Sequence, residues 1–230
     1  MKKQFIHVDD FYEEIGEPSR REVIDGRRVY ITPAGNAYPS ITSILGSQPK
    51  SGIEAWRKKV GEEEANRIMK ESSELGTAVH DLCEQYLYNT YPLKCDYQEA
   101  IDVFNRLRFK LINIDHIYGL ELPLYSDILK VAGTADCVAE YNGVLSLIDF
   151  KTSRKTKREE WIEDYYIQAF FYSAAFYEMS GVIPEQVVIL IAVRESDEVQ
   201  VFTKPISELD VYMDKLLRIM KKYPSVIQQH

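Results

Sequence analysis

Two apolar runs, VAGTADCVAEY at residues 131–141 and VLSLIDFK at 144–151, flank the pair Asn142-Gly143 and predict two strands joined by a tight turn. IYGLELPLYS, at 117–126, predicts a third strand ahead of them, turning near Ser126-Asp127. The next segment, DYYIQAFFYSAAFYEM at 164–179, is apolar almost all round, the pattern of a helix buried on every side. QVVILIAVR and EVQVFTKPI then predict two more strands, and an amphipathic helix follows over 208–222. Upstream the period is helical over 53–89, with a break expected at Ser72-Ser73 where serine caps a new helix, and again over 97–111. REVIDGRRVYITPAG predicts a hairpin turning at Asp25-Gly26, and PSITSILGSQPKSG a connection with one helical turn after Pro39. This order predicts an α/β fold with a central mixed β-sheet flanked by helices. One domain is expected over 1–230, with an N-terminal hairpin extension at 1–37, a helical part at 38–115 and a sheet core at 116–222.

The strands carry charge where a core wants none. If Asn142-Gly143 is a two-residue type I′ turn, Tyr141 faces Val144, and Asp136 falls opposite Asp149 on the same face. Lys151 points to that face too, roughly 7 Å further along the strand. Like charges opposed across a sheet are destabilising, more so when buried. Three arrangements relieve them: a shared proton, neutralisation by Lys151, or a bound cation. A salt bridge from Lys151 satisfies one acid and leaves the other unexplained. Carboxylate oxygens suit a hard divalent ion such as Mg²⁺ or Mn²⁺. On this register, Asp149→Asn is expected to stabilise the metal-free protein.

In GTAVHDLCEQYLY, Val79, Leu82, Cys83, Tyr86 and Leu87 form a helical core stripe, with Gly76, His80 and Glu84 along one flank. Glycine at 76 is expected to let the helix approach another backbone closely. His80 and Glu84 alone read first as a surface pair, and the chain has no HExxH zinc motif. Gln168 and Tyr172, one turn apart on the apolar helix, are buried polar groups that must find partners.

Composition narrows the classes. Hydrophobic residues make up 45% of the 230, and no stretch is long and apolar enough to span a bilayer. The first residues lack an apolar leader core and carry acids, so no targeting signal, no membrane association and a cytoplasmic location are expected. Three cysteines without a CxxC pair point to reduced thiols and exclude a four-cysteine iron–sulfur cluster within one chain. A net charge of −8 disfavours general nucleic-acid affinity, yet five of the eight residues from Lys151 to Arg158 are basic. No GxxxxGK[ST] motif is present, so no ATP is expected to be needed.

Taken together, GTAD with Asp136, IDFKTS with Asp149 and Lys151, GxxxH ending at His80 and QAFFY from Gln168 to Tyr172 resemble the PD-(D/E)XK nuclease superfamily, in its RecB-like exonuclease branch. YPSITSIL and LGTAVHDLCE make the chain most similar to the group of mitochondrial genome maintenance exonucleases and their phage relatives. The likeness spans about residues 38 to 220. It implies a restriction-endonuclease-like αβββαβ core and a metal-dependent deoxyribonuclease using Mg²⁺ or Mn²⁺. His80, Asp136, Asp149 and the backbone carbonyl of Phe150 would hold the metal, with Asp136, Asp149 and Lys151 catalytic. Lys151 would orient or activate the attacking water. Glu84 and Glu121 would serve a second metal or support the first. Gln168, Tyr172, Ser40, Thr42, Ser153 and Arg154 would contact DNA, the last two in the basic run after Lys151. The partner implied is single-stranded or flap DNA, and the activity an exonuclease in replication, recombination or repair, in a bacterial or phage-infected cytoplasm. The alternatives are a structure-selective endonuclease on the same core and a non-catalytic DNA-binding subunit on a decayed nuclease fold.

Overall fold

The computed structural model describes residues 3–8, 17–24, 26–49 and 51–222. Three short strands come first, β1 (Arg20–Ile24), β2 (Arg27–Ile31) and β3 (Ala37–Pro39), forming an antiparallel sheet in that order. Ile24 pairs with Arg27, which leaves two residues for the hairpin turn; Asp25 of that turn lies outside the described residues. Helices α1 (Ile41–Gly46), α2 (Ser51–Val60), α3 (Glu62–Leu87) and α4 (Gln98–Leu111) follow. The expected break at Ser72-Ser73 is not there: α3 runs through both serines. The chain breaks instead at Gly61, whose φ of 90° lies in a region that suits glycine. The acidic run Glu62, Glu63, Glu64 then occupies the first turn of α3, where the helix dipole favours negative charge.

Strands β4 (Ile114–Ser126), β5 (Val131–Tyr141) and β6 (Val144–Ser153) form a meander, and helix α5 (Glu163–Ser180) crosses over to β7 (Gln186–Val193). Strand β8 (Val199–Pro205) and helix α6 (Leu209–Met220) complete the chain as described. The sheet order is β4-β5-β6-β7-β8, antiparallel except for the β6–β7 pair, which the helical crossover makes parallel. This is the mixed sheet flanked by helices that the residue pattern predicts, consistent with a restriction-endonuclease-like core.

Each face of the sheet has its own core. Leu82, Cys83, Val103 and Leu107 of α3 and α4 pack on Ile148, Phe150, Val188 and Leu190. Phe170, Phe171 and Ala175 of α5 pack with Leu147, Val187 and Ile189 on the opposite face. Ten residues of α5 are buried, as its apolar circumference requires. The outer edge of β4 is covered by residues 3–8: Val8 N–H donates to Ile117 O at 2.9 Å, and Ile117 N–H to Ile6 O at 2.8 Å. Phe5 anchors that segment edge-on against Tyr86. Pairing at Ile117 satisfies edge groups that would otherwise stand open there.

The β5–β6 turn forms as expected. Asn142 (φ 52°) and Gly143 (φ 78°) occupy left-handed geometry, and Tyr141 pairs with Val144. The register continues through Cys137 with Ile148 and then stops one residue short of Asp136 and Asp149. The cause lies in the neighbouring strand. Leu120 packs on the α3–α4 side of the sheet, while Leu122, two residues on, packs on the α5 side. Strand β4 therefore changes face at Glu121, whose φ is 45°. Across the ladder, Cys137 and Ala135 sit on opposite sides in the same way, so β5 changes face at Asp136. The sheet is distorted where its acids are.

Candidate metal centre and cleft

Asp136 stands at that distortion. Its Oδ2 accepts a 2.7 Å hydrogen bond from the Phe150 N–H, which ties β5 to β6 where the ladder has opened. Its Oδ1 lies 3.5 Å from His80 Nδ1, projected from α3. The carboxylate of Glu121 reaches the same point, and one donor atom each from His80, Glu121 and Asp136 lie within 4.8 Å of one another. A non-glycine residue held at positive φ marks a place where the fold overrides local preference. Here that conformation delivers a third donor to a group of two carboxylates and one imidazole, a set that can hold a divalent ion.

Asp149 lies beside this cluster and is 1% exposed. Lys151 Nζ hydrogen-bonds its Oδ1 at 2.6 Å and approaches Oδ2 as closely, but Oδ2 is buried with no well-directed donor. That oxygen is an acceptor a cation could satisfy. The ammonium also sits 5.3 Å from the centroid of the Tyr165 ring. Each acid has its own cation, Lys151 with Asp149 and His80 with Asp136. Neutralisation by Lys151, one of the three reliefs open from the sequence, thus accounts for one acid.

The site's protonation follows from burial and charge. Burial opposes the charged imidazole of His80, but Asp136 outweighs it and pushes His80 up to about 9. Burial would raise Asp136, yet His80, Lys151 and the Phe150 N–H hold it below the usual carboxylate range. Asp149 is raised to about 6, by burial first and against the pull of Lys151, with Asp136 adding to the rise. Glu121 is raised to about 7 by burial and then by Asp136. Lys151 disfavours burial, but Asp149 and Asp136 keep it charged to above its ordinary value. Two raised carboxyls beside a third acid make a place whose charge a cation would offset.

A cleft of about 570 Å³ opens over this floor. Of the residues singled out from the sequence, His80, Glu84, Glu121, Asp136, Lys151, Gln168, Tyr172, Ser40 and Thr42 line it. Glu84 faces the cleft but does not join the close-set donors, and neither does Asp149. The Phe150 N–H is committed to Asp136, as above. Gln168 Nε2 lies 3.4 Å from the Tyr172 hydroxyl, and Tyr172 is seated against Gly133 of the GTAD run. A Cβ at Gly133 would stand 2.7 Å from that hydroxyl oxygen. Ser40 Oγ and Thr42 Oγ1 are 2.7 Å apart at the start of α1.

The structure places some of the singled-out residues away from the cleft and brings others to it. Ser153 and Arg154 are not among the cleft residues: Ser153 is buried and donates to Lys155 O, and Arg154 pairs with Glu195. Strand β6 carries the basic run past the site before it turns. Gly76 is not required by a close helix approach, since a Cβ there would meet Thr152 Oγ1 at an ordinary 3.8 Å; it lines the cleft instead. The cleft also includes Arg21, Arg28 and Tyr30 of β1 and β2, which went unnoticed in the sequence. Period-2 alternation in RREVIDGRRVY would have separated the arginines by face, but not shown which face met the site.

No family model matches the chain. Among curated proteins, mitochondrial genome maintenance exonuclease 1 of Mus musculus is 31% identical over 137 residues, covering 53% of this chain and 39% of that protein. The Homo sapiens protein of the same name is 27% identical over 132 residues, covering 53% and 38%. The chain thus matches under two fifths of these relatives' length. Among solved structures, SSO0001 aligns over 94% of this chain and 84% of its own, with a TM-score of 0.38 and 12% identity. Rai1 of Scheffersomyces stipitis aligns over 98% and 63%, with a TM-score of 0.28 and 13% identity. Likeness at that level carries no argument. Among the described residues, no helix is long and apolar enough to cross a membrane. All three cysteines are free.

Proposed function

We propose that this chain is a divalent-metal-dependent deoxyribonuclease of the PD-(D/E)XK type, acting as an exonuclease on single-stranded or flapped DNA. The observation that carries this reading is the meeting of His80, Glu121 and Asp136 within 4.8 Å, beside the buried Asp149–Lys151 pair, at the floor of an open cleft. His80, Glu121 and Asp136 would hold Mg²⁺ or Mn²⁺, with Asp149 Oδ2 and the Phe150 carbonyl completing the set. The ion, when bound, supplies charge to the phosphoryl oxygens and lowers the pKa of an attacking water.

The protein's own groups do the rest. Lys151 stays protonated, so its role is to donate hydrogen bonds to the water and to the oxygen on which charge develops, rather than to remove a proton. Asp149 holds that ammonium in place, and Tyr165 limits its travel. Gln168 and Tyr172 form the wall that sets where the strand lies relative to Asp136. A role in replication, recombination or repair belongs to this proposal, in keeping with relatives named for genome maintenance.

The test is incubation of end-labelled linear and circular single-stranded DNA with Mg²⁺ or Mn²⁺. Loss of linear substrate alone supports the exonuclease, and cutting of circles would point to an endonuclease. Lys151→Ala should lower cleavage by 10³-fold or more, as removal of a charge-stabilising donor does (about 10²–10³ for one neutral donor), while oligonucleotide binding persists. Binding without cleavage by the unaltered chain in either metal would favour a non-catalytic subunit.

A further inference from the structure

The cations that line the cleft are not equivalent. Lys151 is committed to Asp149, and His80 to Asp136. Arg21 and Arg28 are exposed and have no carboxylate partner among the described residues. Their neighbour Arg20 is neutralised by Glu22 at 2.7 Å. The hairpin register explains the division. Arg21 pairs with Tyr30 and Val23 with Arg28, so Arg21, Arg28 and Tyr30 share one face, while Arg20 and Glu22 occupy the other. Strand alternation has turned two uncompensated guanidinium groups toward the site and a closed ion pair away from it.

That face is held to the catalytic strand. Tyr30 is buried, and its hydroxyl lies 3.2 Å from Thr134 Oγ1, two residues before Asp136. Ser40, just after β3, bridges to Ala132 of the same strand, and the Tyr38 hydroxyl donates to Asp127 at 2.5 Å. These ties set the arginines at a defined place relative to the acidic floor. A floor of Asp81, Glu84, Glu121 and Asp136 repels phosphate, and one divalent ion offsets only the phosphate it touches. The remaining phosphates of a strand in the cleft need other cations, and guanidinium forks match their oxygens two at a time.

Resting on the nuclease reading above, we infer that the β1–β2 hairpin is a phosphate clamp: Arg21 and Arg28 hold the backbone of a single strand beyond the scissile position and thereby set its path across the metal site. They are positioning residues and do not touch the reacting phosphate. The hairpin lies outside the stretch, residues 38 to 220, whose motifs resemble the nuclease superfamily.

The test is binding of a fluorescent single-stranded oligonucleotide, with Ca²⁺ in place of the catalytic metal, as a function of salt. Arg21→Ala/Arg28→Ala should weaken binding roughly tenfold or more. It should also lower the slope of log K against log salt by about 1.4, two contacts at about 0.7 each for single strands. In cleavage, KM should rise while kcat stays within about twofold. Arg21→Lys/Arg28→Lys should restore the salt slope, and Arg20→Ala should change none of these. An unaltered slope and affinity in the double alanine variant, with the melting transition intact, would overturn the clamp. Failure of the unaltered chain to cleave would instead overturn the nuclease reading, because the binding slope reads the clamp without cleavage.

Discussion

Lys151 places its ammonium between the Asp149 carboxylate and the Tyr165 ring, so the pair is locked before any ion arrives. Asp149 still carries a cost when ionised, because burial outweighs its partner and raises it to about 6. Asp149→Asn is accordingly expected to raise the stability of the EDTA-treated protein at pH 8, on the order of 2 kcal/mol. The gain should shrink at pH 5 and vanish only below about pH 4, where the unfolded carboxyl is protonated as well, and thermal unfolding of both proteins across that range checks this. The same variant should bind Mn²⁺ less tightly. Opposition to Asp136, the ground on which the sequence motivates this substitution, is the smaller cause; burial is the larger. That ranking was not legible in VAGTADCVAEYNGVLSLIDFK, because a register shows which residues face each other and not how deep they lie.

At the scale of elements, two glycines mark how the site is built. Gly133 in β5 makes room for the Tyr172 hydroxyl, so Gly133→Ala forces Tyr172 or the strand to move. The expected cost is about 1–3 kcal/mol, read by denaturant unfolding, with a loss of cleavage beyond what the stability change explains. Gly76 is the opposite case. It sits inside α3 with ordinary space around it, and Gly76→Ala should stabilise the helix by about 0.5–1 kcal/mol. It also narrows the cleft, so KM for DNA should rise as Tm rises; a variant that gains stability with KM unchanged would remove Gly76 from the substrate path. The strand run and the buried helix α5 were plain in the apolar pattern. The true break at Gly61 was masked by two serines that looked like caps, since a serine caps a helix only where the backbone has already left it.

For the whole molecule, the acidic floor makes stability depend on pH when no metal is present. Glu121, Asp149 and His80 all have folded pKa values above their ordinary ones, at about 7, 6 and 9. A raised folded value contributes stability below the ordinary pKa that is lost as pH climbs through the folded one. The EDTA-treated protein should therefore lose stability steadily from about pH 4.5 to 9. Asp136, held low, has already made its contribution above pH 4 and does not offset the decline. Mn²⁺ or Mg²⁺ should restore more stability at pH 8 than at pH 5, because protons compete for the same oxygens at low pH. Differential scanning calorimetry across that range measures both, and a metal-free Tm that is flat or rises with pH would contradict the site's electrostatics.

The sequence by itself determined the strand run, the buried helix α5 and the β5–β6 turn with Tyr141 facing Val144, and its motifs singled out His80, Asp136, Asp149 and Lys151. These depend on local periodicity, turn chemistry and short motifs, which act over a few residues. Tertiary structure alone decided that Glu121 comes within reach of His80 and Asp136 and that Arg154 pairs with Glu195 outside the cleft lining. It also decided that Arg21 and Arg28, more than a hundred residues from Asp136 in sequence, stand over the acidic floor. Both outcomes come from geometry between strands. A change of face at Glu121 and Asp136, and a second sheet hung on β5 through Tyr30 and Ser40, exist only once the strands have packed.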